Sequence, residues 1–205
     1  KAMIQTAENV AREHGIERAE QDEVALMRYE QYRDNALGND RAFQKRYMVT
    51  PLEIKDRKGR KVLATVETDE GVFATTTEGL ARLKPVIEGG SVTFGSQTFP
   101  ADGNAGVVVT TRDKARAMSR DKNVEIQVVA HAQAREKKAF MPAANGPSVR
   151  RVFEQAGIGP KDIKAMTSHT PFAVNDIFLS RQFGFDLKDM NRYGCSLIWG
   201  HPQGP

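Results

Sequence analysis

Apolar and polar positions recur along this chain with two different periods, and the changes between them mark out its elements. From Met3 to Ala11 the apolar residues Ala7, Val10 and Ala11 fall on one face of a helix that Gly15 closes. A second helix is predicted from about Arg18 to Leu37, where Val24, Leu26, Met27, Tyr29 and Tyr32 form an apolar stripe and Gly38 with Asn39 ends it. The period then drops to two: Leu52-Glu53-Ile54-Lys55 is a strand, Arg57-Lys58-Gly59-Arg60 a turn and Val62 to Val66 a second strand, together a β-hairpin. Thr75 to Thr77 offer capping hydroxyls to a short helix that Pro85 terminates. Val107-Val108-Val109 reads as a fully buried strand, Arg112 to Met118 as a surface helix and Val124 to Ala130 as another strand. Pro147 to Phe153 opens a helix with Ser148 as its cap, and Gly157 ends it. At the end of the chain, Leu197-Ile198-Trp199 reads as a buried strand end. Gly200 then frees the backbone to turn, and Pro202 stiffens the corner on which His201 stands.

Composition narrows the class. With 205 residues, 40% hydrophobic and 27% charged, the chain can bury a core and reads as globular. No apolar run approaches the length of a bilayer span and no secretory leader is evident, so no membrane association and a cytoplasmic setting are expected. The single cysteine excludes an internal disulfide and agrees with a reducing compartment. The formal charge of +4 suits an anionic partner. Nucleic acid is disfavoured, because Lys and Arg are scattered among Glu and Asp without metal-finger spacing or an aromatic-rich binding signature. The chain opens at Lys1 without Met and stops at Pro205 inside a motif, so a piece of a longer protein is expected.

The candidate chemistry lies in two boxes. A histidine on a preset corner such as Gly200-His201-Pro202 suits acid/base work or oxyanion binding, although the same three residues also fit a corner bearing a solvated imidazole. Shortly before it comes Ser168-His169-Thr170-Pro171-Phe172-Ala173-Val174-Asn175-Asp176. This pair, in this order, resembles the thiolase family of acyl-CoA acyltransferases. There an Asn-Glu-Ala-Phe or His-Asp-Cys-Phe box precedes an Asn-x-x-Gly-Gly segment leading into Gly-His-Pro. Here the segment is Asn191-Arg192-Tyr193-Gly194-Cys195. The resemblance extends along nearly the whole chain. Thr6-Ala7-Glu8-Asn9-Val10-Ala11 is similar to the family's loop domain, and Thr75-Thr76-Thr77-Glu78-Gly79-Leu80-Ala81-Arg82-Leu83-Lys84-Pro85 to the exit from it. Gly90-Ser91-Val92-Thr93-Phe94-Gly95-Ser96-Gln97-Thr98-Phe99 is similar to its Gly-Thr-Val-Thr-Ala-Gly-Asn-Ala-Ser-Gly stretch.

The resemblance implies a layered α/β fold of the α-β-α-β-α thiolase type, here partial. Residues 1–68 would be the loop-domain region, a helical hairpin plus a β-hairpin; residues 69–122 the end of the N-terminal half; and residues 123–205 a truncated C-terminal half. It also implies roles. His201 matches the histidine that pairs with a nucleophilic cysteine and helps form an oxyanion hole, with Gly200 beside it, and His169 matches the Asn or His that serves an oxyanion directly or through water. Met3 and Phe172 match residues along the coenzyme A pantetheine, and Thr98 stands where a serine lies near the pantetheine amide. Coenzyme A and acyl-CoA are then substrates; no cofactor and no metal are expected, and a homodimer or homotetramer is the expected assembly.

Departures from the pattern carry their own implications. Thr170 replaces the box carboxylate and can offer only a hydroxyl, which makes Asn175 and Asp176 candidates to substitute. Phe94 and Phe99 replace smaller residues and imply a narrower pocket, while Val72, Phe73 and Ala74 stand where an arginine usually grips the nucleotide. Cys195 occupies a glycine position. It is disfavoured as a nucleophile, since the family's two catalytic cysteines belong to segments before Lys1 and after Pro205. The chain alone is therefore expected to be inactive. The alternatives are a thiolase-like subunit that binds acyl-CoA without catalysis and, from another class, a basic nucleic-acid binding module.

Overall fold

The computed structural model describes residues 2–202. Two helices open the chain, α1 (Ala2–Glu13) and α2 (Arg18–Gln31). Glu17 and Glu20 fix the start of α2 with a reciprocal capping box. A π-helical turn over Tyr32–Ala36 leads into α3 (Gly38–Tyr47), whose first turn is interrupted by left-handed backbone at Asn39, Asp40 and Arg41. The predicted second helix is thus regular only to Gln31 and widens over its last turn. The hairpin forms as expected: β1 (Leu52–Lys55) pairs antiparallel with β2 (Val62–Val66), with Leu52 opposite Val66 and a bulge between Ile54 and Lys55. Gly59, at φ 69°, supplies the left-handed residue of its turn. Tyr32 Oη and Gln44 Nε2 both donate to Asp69 Oδ2 at 2.8 Å, which ties the exit of the hairpin to α2 and α3.

Helices α4 (Thr77–Ala81), α5 (Arg112–Met118), α6 (Asn145–Ala156), α7 (Ala173–Phe183) and α8 (Ser196–Trp199) complete the regular structure with two short 3-10 turns, Met141–Ala144 and Pro160–Asp162. Thr76 caps α4 by accepting from Gly79 N at 3.0 Å, and that helix ends at Ala81, before Pro85. The central element is α7. Every residue from Ala173 to Leu179 is buried, so the first two turns of this helix lie inside the fold. Helices α1 and α2 pack against it, α8 packs on α2, and Ala7, Val10 and Ala11 of α1, Val24 and Ala25 of α2 and Leu197 and Ile198 of α8 join it in one apolar core.

Four expectations from the sequence are corrected. Leu197-Ile198-Trp199 is helical rather than a strand end: Ile198 N donates to Cys195 O at 2.8 Å and Gly200 N to Ser196 O at 3.0 Å. Three apolar residues in a row do not distinguish the two periods, and the local hydrogen bonds decide. The Val107–Val109 and Val124–Ala130 runs form no strands among the described residues and lie outward, Val107 at 89% and Ile126 at 88% exposure. A strand needs a neighbour for its amides, and among the described residues only β1 and β2 pair as a sheet. Ser148 sits inside α6, where its hydroxyl donates back to Asn145 O at 3.0 Å; the helix opens at Asn145, because proline at position 147 falls in the first turn, where a missing N–H breaks no bond. No described helix is long and apolar enough to cross a membrane.

Candidate active site

One six-residue segment, Ser96 to Ala101, holds both histidine boxes through main-chain hydrogen bonds. Ala173 N donates to Ser96 O at 2.9 Å and Thr98 N to Pro171 O at 2.8 Å, so Gln97 bridges antiparallel to Phe172. On its other side His201 N donates to Phe99 O at 2.7 Å, and Pro100 bridges parallel to His201. Ser96 itself is anchored in the core by Gln21 and by Thr93 N. The corner at Gly200 is set by contact as well as by its φ of 95°: a Cβ there would lie 2.5 Å from Ala101 Cβ and 2.9 Å from Phe99 Cε2.

The result is that two imidazoles 32 residues apart in the chain meet. His169 Nε2 and His201 Nε2 stand 3.1 Å apart with ring centroids at 4.4 Å in an edge-on arrangement. His169 Nδ1 is 3.0 Å from Ser196 Oγ, and Ser196 Oγ accepts from Thr170 N at 3.1 Å. Burial, and then the charge of His201, hold His169 below the ordinary imidazole pKa, so it stands neutral at pH 7.

Beneath the pair lies a buried polar network. Asp176, in the first turn of α7, takes Ser168 Oγ (2.6 Å) and Thr170 Oγ1 (2.8 Å) on one carboxylate oxygen. On the other it takes Arg28 Nε (2.8 Å) and Asn191 Nδ2 (3.0 Å). Asn191 Oδ1 in turn accepts from Ser168 N at 2.8 Å, and Arg28 Nη1 donates to Leu187 O at 2.9 Å. Arg28 and Asp176 side chains are both 0% exposed. Of the two candidates to substitute for the carboxylate missing at Thr170, the structure brings Asp176 directly against the Thr170 hydroxyl at 2.8 Å. Asn175 Oδ1 is buried without a hydrogen-bond partner among the described residues.

The other expected residues are distributed unevenly. Thr98 is next to the pair, but its hydroxyl donates to Ser196 O at 2.6 Å. Phe172 caps the N-terminus of α7 and belongs to the core at 5% exposure. Phe99 packs against Gly200, whereas Phe94 is exposed. Met3 lies on the exposed side of α1 at 52%, and no described contact links it to either histidine. Cys195 is 1% exposed, and burial followed by the charge of Asp176 pushes its thiol up to about 12. A thiol in that state is neutral and inert at physiological pH. Pattern reading passed over Arg28, Ser168, Asn191 and Ser196 as site residues. The available signal was a charge in the wrong place: Asp176 interrupts an apolar run and Arg28 falls on the inner face of α2 beside Val24 and Ala25, and buried charges of opposite sign come in pairs.

Comparison with known proteins agrees with this architecture. The structure superposes on the crystal structure of the Bacillus anthracis acetyl-CoA acetyltransferase with a TM-score of 0.80 at 28% identity, covering 97% of this chain and 48% of that one. On human mitochondrial 3-ketoacyl-CoA thiolase the TM-score is 0.75 at 26% identity, covering 98% and 49%. Curated relatives include an acetyl-CoA acetyltransferase of Pseudomonas aeruginosa (31% identity, 97% of this chain and 49% of that protein). A β-ketoadipyl-CoA thiolase of Acinetobacter baylyi is 33% identical over 98% of this chain and 49% of its own length. The fold is a partial α/β thiolase fold. Residues 1–113 match the thiolase N-terminal domain and residues 122–205 the thiolase C-terminal domain, and the chain belongs to the thiolase family. It spans about half the length of the curated relatives it matches.

Proposed function

We propose that this chain is part of a thiolase-type acyl-CoA acyltransferase, which converts 3-ketoacyl-CoA and CoA to a shortened acyl-CoA and acetyl-CoA, or runs the reverse condensation. The relatives named acetyl-CoA acetyltransferase and 3-ketoacyl-CoA thiolase support the class. The observation that carries the site is the 3.1 Å approach of His169 Nε2 to His201 Nε2. Thioester attack and carbanion formation both place negative charge on a carbonyl oxygen, and donors already aimed at that oxygen lower the barrier by about 3 kcal/mol each. In this reading His201 takes the proton of an attacking thiol, and His169 serves the oxyanion. That thiol is not Cys195, whose burial keeps it protonated. Thr98, Phe172, Gly200 and Met3 border the CoA path, the net charge of +4 favours the CoA phosphates, and the working protein is a cytoplasmic homo-oligomer.

A non-catalytic acyl-CoA-binding subunit is the second reading, suggested by Thr170 in the place of the box carboxylate. Asp176, 2.8 Å from Thr170 Oγ1, restores that charge and favours catalysis. The test is thiolysis of acetoacetyl-CoA by the full-length protein. His201→Ala and His169→Ala are each expected to lower kcat about 10²- to 10³-fold, and residues 1–205 alone to be inactive. Unchanged rates in both variants, or cleavage by 1–205 alone, would overturn the reading; salt-sensitive retention on DNA and none on CoA resin would replace it with the nucleic-acid module.

A further inference from the structure

Imidazoles that share a hydrogen bond through their Nε2 atoms hold one proton between them, so one ring must give and the other take. The separation of 3.1 Å does not say which. The hydroxyl behind His169 does. Ser196 Oγ has two described partners, the Thr170 N–H at 3.1 Å and His169 Nδ1 at 3.0 Å. The amide can only donate, so the serine accepts from it. Its own O–H then has one described acceptor, His169 Nδ1. In the reverse arrangement Nδ1–H would donate to Ser196 Oγ and leave a hydroxyl proton without a described acceptor in a side chain only 6% exposed, which is unfavourable.

We propose that Ser196 is a positioning residue that holds His169 as its Nε2–H tautomer, making His169 the donor and His201 the acceptor of the resting pair. The serine is itself fixed. Its carbonyl accepts from Thr98 Oγ1 at 2.6 Å and from Gly200 N at 3.0 Å, which pins the first residue of α8 to the segment that carries both boxes. With His169 in this form, the atom that would face the reacting oxygen carries a proton before substrate arrives, and the Nε2 lone pair of His201, held by that proton in the resting pair, is released to a thiol proton when the substrate oxygen takes the His169 N–H in its place. The depressed pKa of His169 agrees with a neutral ring that accepts at Nδ1. The catalytic part of this inference rests on the acyl-transfer reading above; the tautomer does not.

The experiment uses full-length protein labelled with ¹⁵N-histidine, with His169→Asn identifying the His169 signals. In the parent, Nδ1 of His169 is expected at the shift of an unprotonated nitrogen and Nε2 at that of a protonated one. Ser196→Ala is expected to mix the two tautomers and lower kcat about tenfold at unchanged KM, the value of one buried hydrogen bond, and Ser196→Thr to restore both. A protonated Nδ1 of His169 in the parent overturns the proposal even if neither serine variant folds, as does an unchanged His169 spectrum in Ser196→Ala. A parent protein with these shifts but no acyl transfer would refute the functional reading and leave the tautomer assignment standing.

Discussion

Removing the charge of Asp176 while keeping its shape tests the network under the histidines most directly. Asp176→Asn leaves the Arg28 guanidinium, at 0% exposure, without its counter-ion. The amide oxygen is expected to stay on Arg28 Nε and Asn191 Nδ2, which can only donate. The amide nitrogen then faces the hydroxyls of Ser168 and Thr170, which can turn and accept. Four contacts therefore survive in number, and the loss is that of a compensated buried charge. Breaking such a pair from one side costs about 3–5 kcal/mol. For a protein of this size or larger that corresponds to a fall in unfolding midpoint of about 10 °C. Differential scanning calorimetry and urea denaturation of parent and variant measure it. The double variant Arg28→Met with Asp176→Leu removes both charges and is expected to recover most of the loss, because the desolvation of an unpaired cation disappears with it. A midpoint for Asp176→Asn within about 2 °C of the parent, or a double variant no better than the single, would refute the reasoning.

Two further outcomes follow from the same environments. Cys195 is expected to resist iodoacetamide at pH 8 in the native protein and to react once unfolded, since burial keeps its pKa about 12; peptide mapping of the labelled protein checks this, and rapid native modification of Cys195 would contradict it. His169 binds its proton less readily folded than unfolded, so its contribution to stability is complete above the unfolded imidazole pKa of about 6.5 and declines as pH falls toward the lowered folded value. Urea unfolding between pH 5 and 8 is expected to show a smaller acid loss in His169→Asn than in the parent, and equal losses would count against the assignment.

Local patterns were legible wherever a short stretch decides its own conformation. The helical stripe of α2, the β1–β2 hairpin with its glycine turn and the Thr76 cap all depend on neighbours within a few residues. The Val107–Val109 and 124–130 runs failed as strands because β-apolar composition specifies a pairing surface without supplying the partner. At the site, the two histidines were legible as motifs, and the departure at Thr170 directed attention to Asp176, which the fold brings against its hydroxyl. Arg28 was not, because it lies 148 residues from Asp176 in the chain and only folding brings them together. Ser196 was hidden by the strand assignment: in a strand its side chain has no fixed relation to His169, whereas the first turn of α8 aims it there.

The segment from Ser96 to Ala101 joins the two histidine boxes chiefly through peptide groups, which every residue type but proline supplies alike. The side chain at position 97 is thus released from the duty of keeping the imidazoles apart by a set distance, whereas Phe99 also packs against the Gly200 corner. The residue type at position 97 can therefore change while the two imidazoles keep their separation. An insertion or deletion of a single residue in that stretch would separate the rings at once.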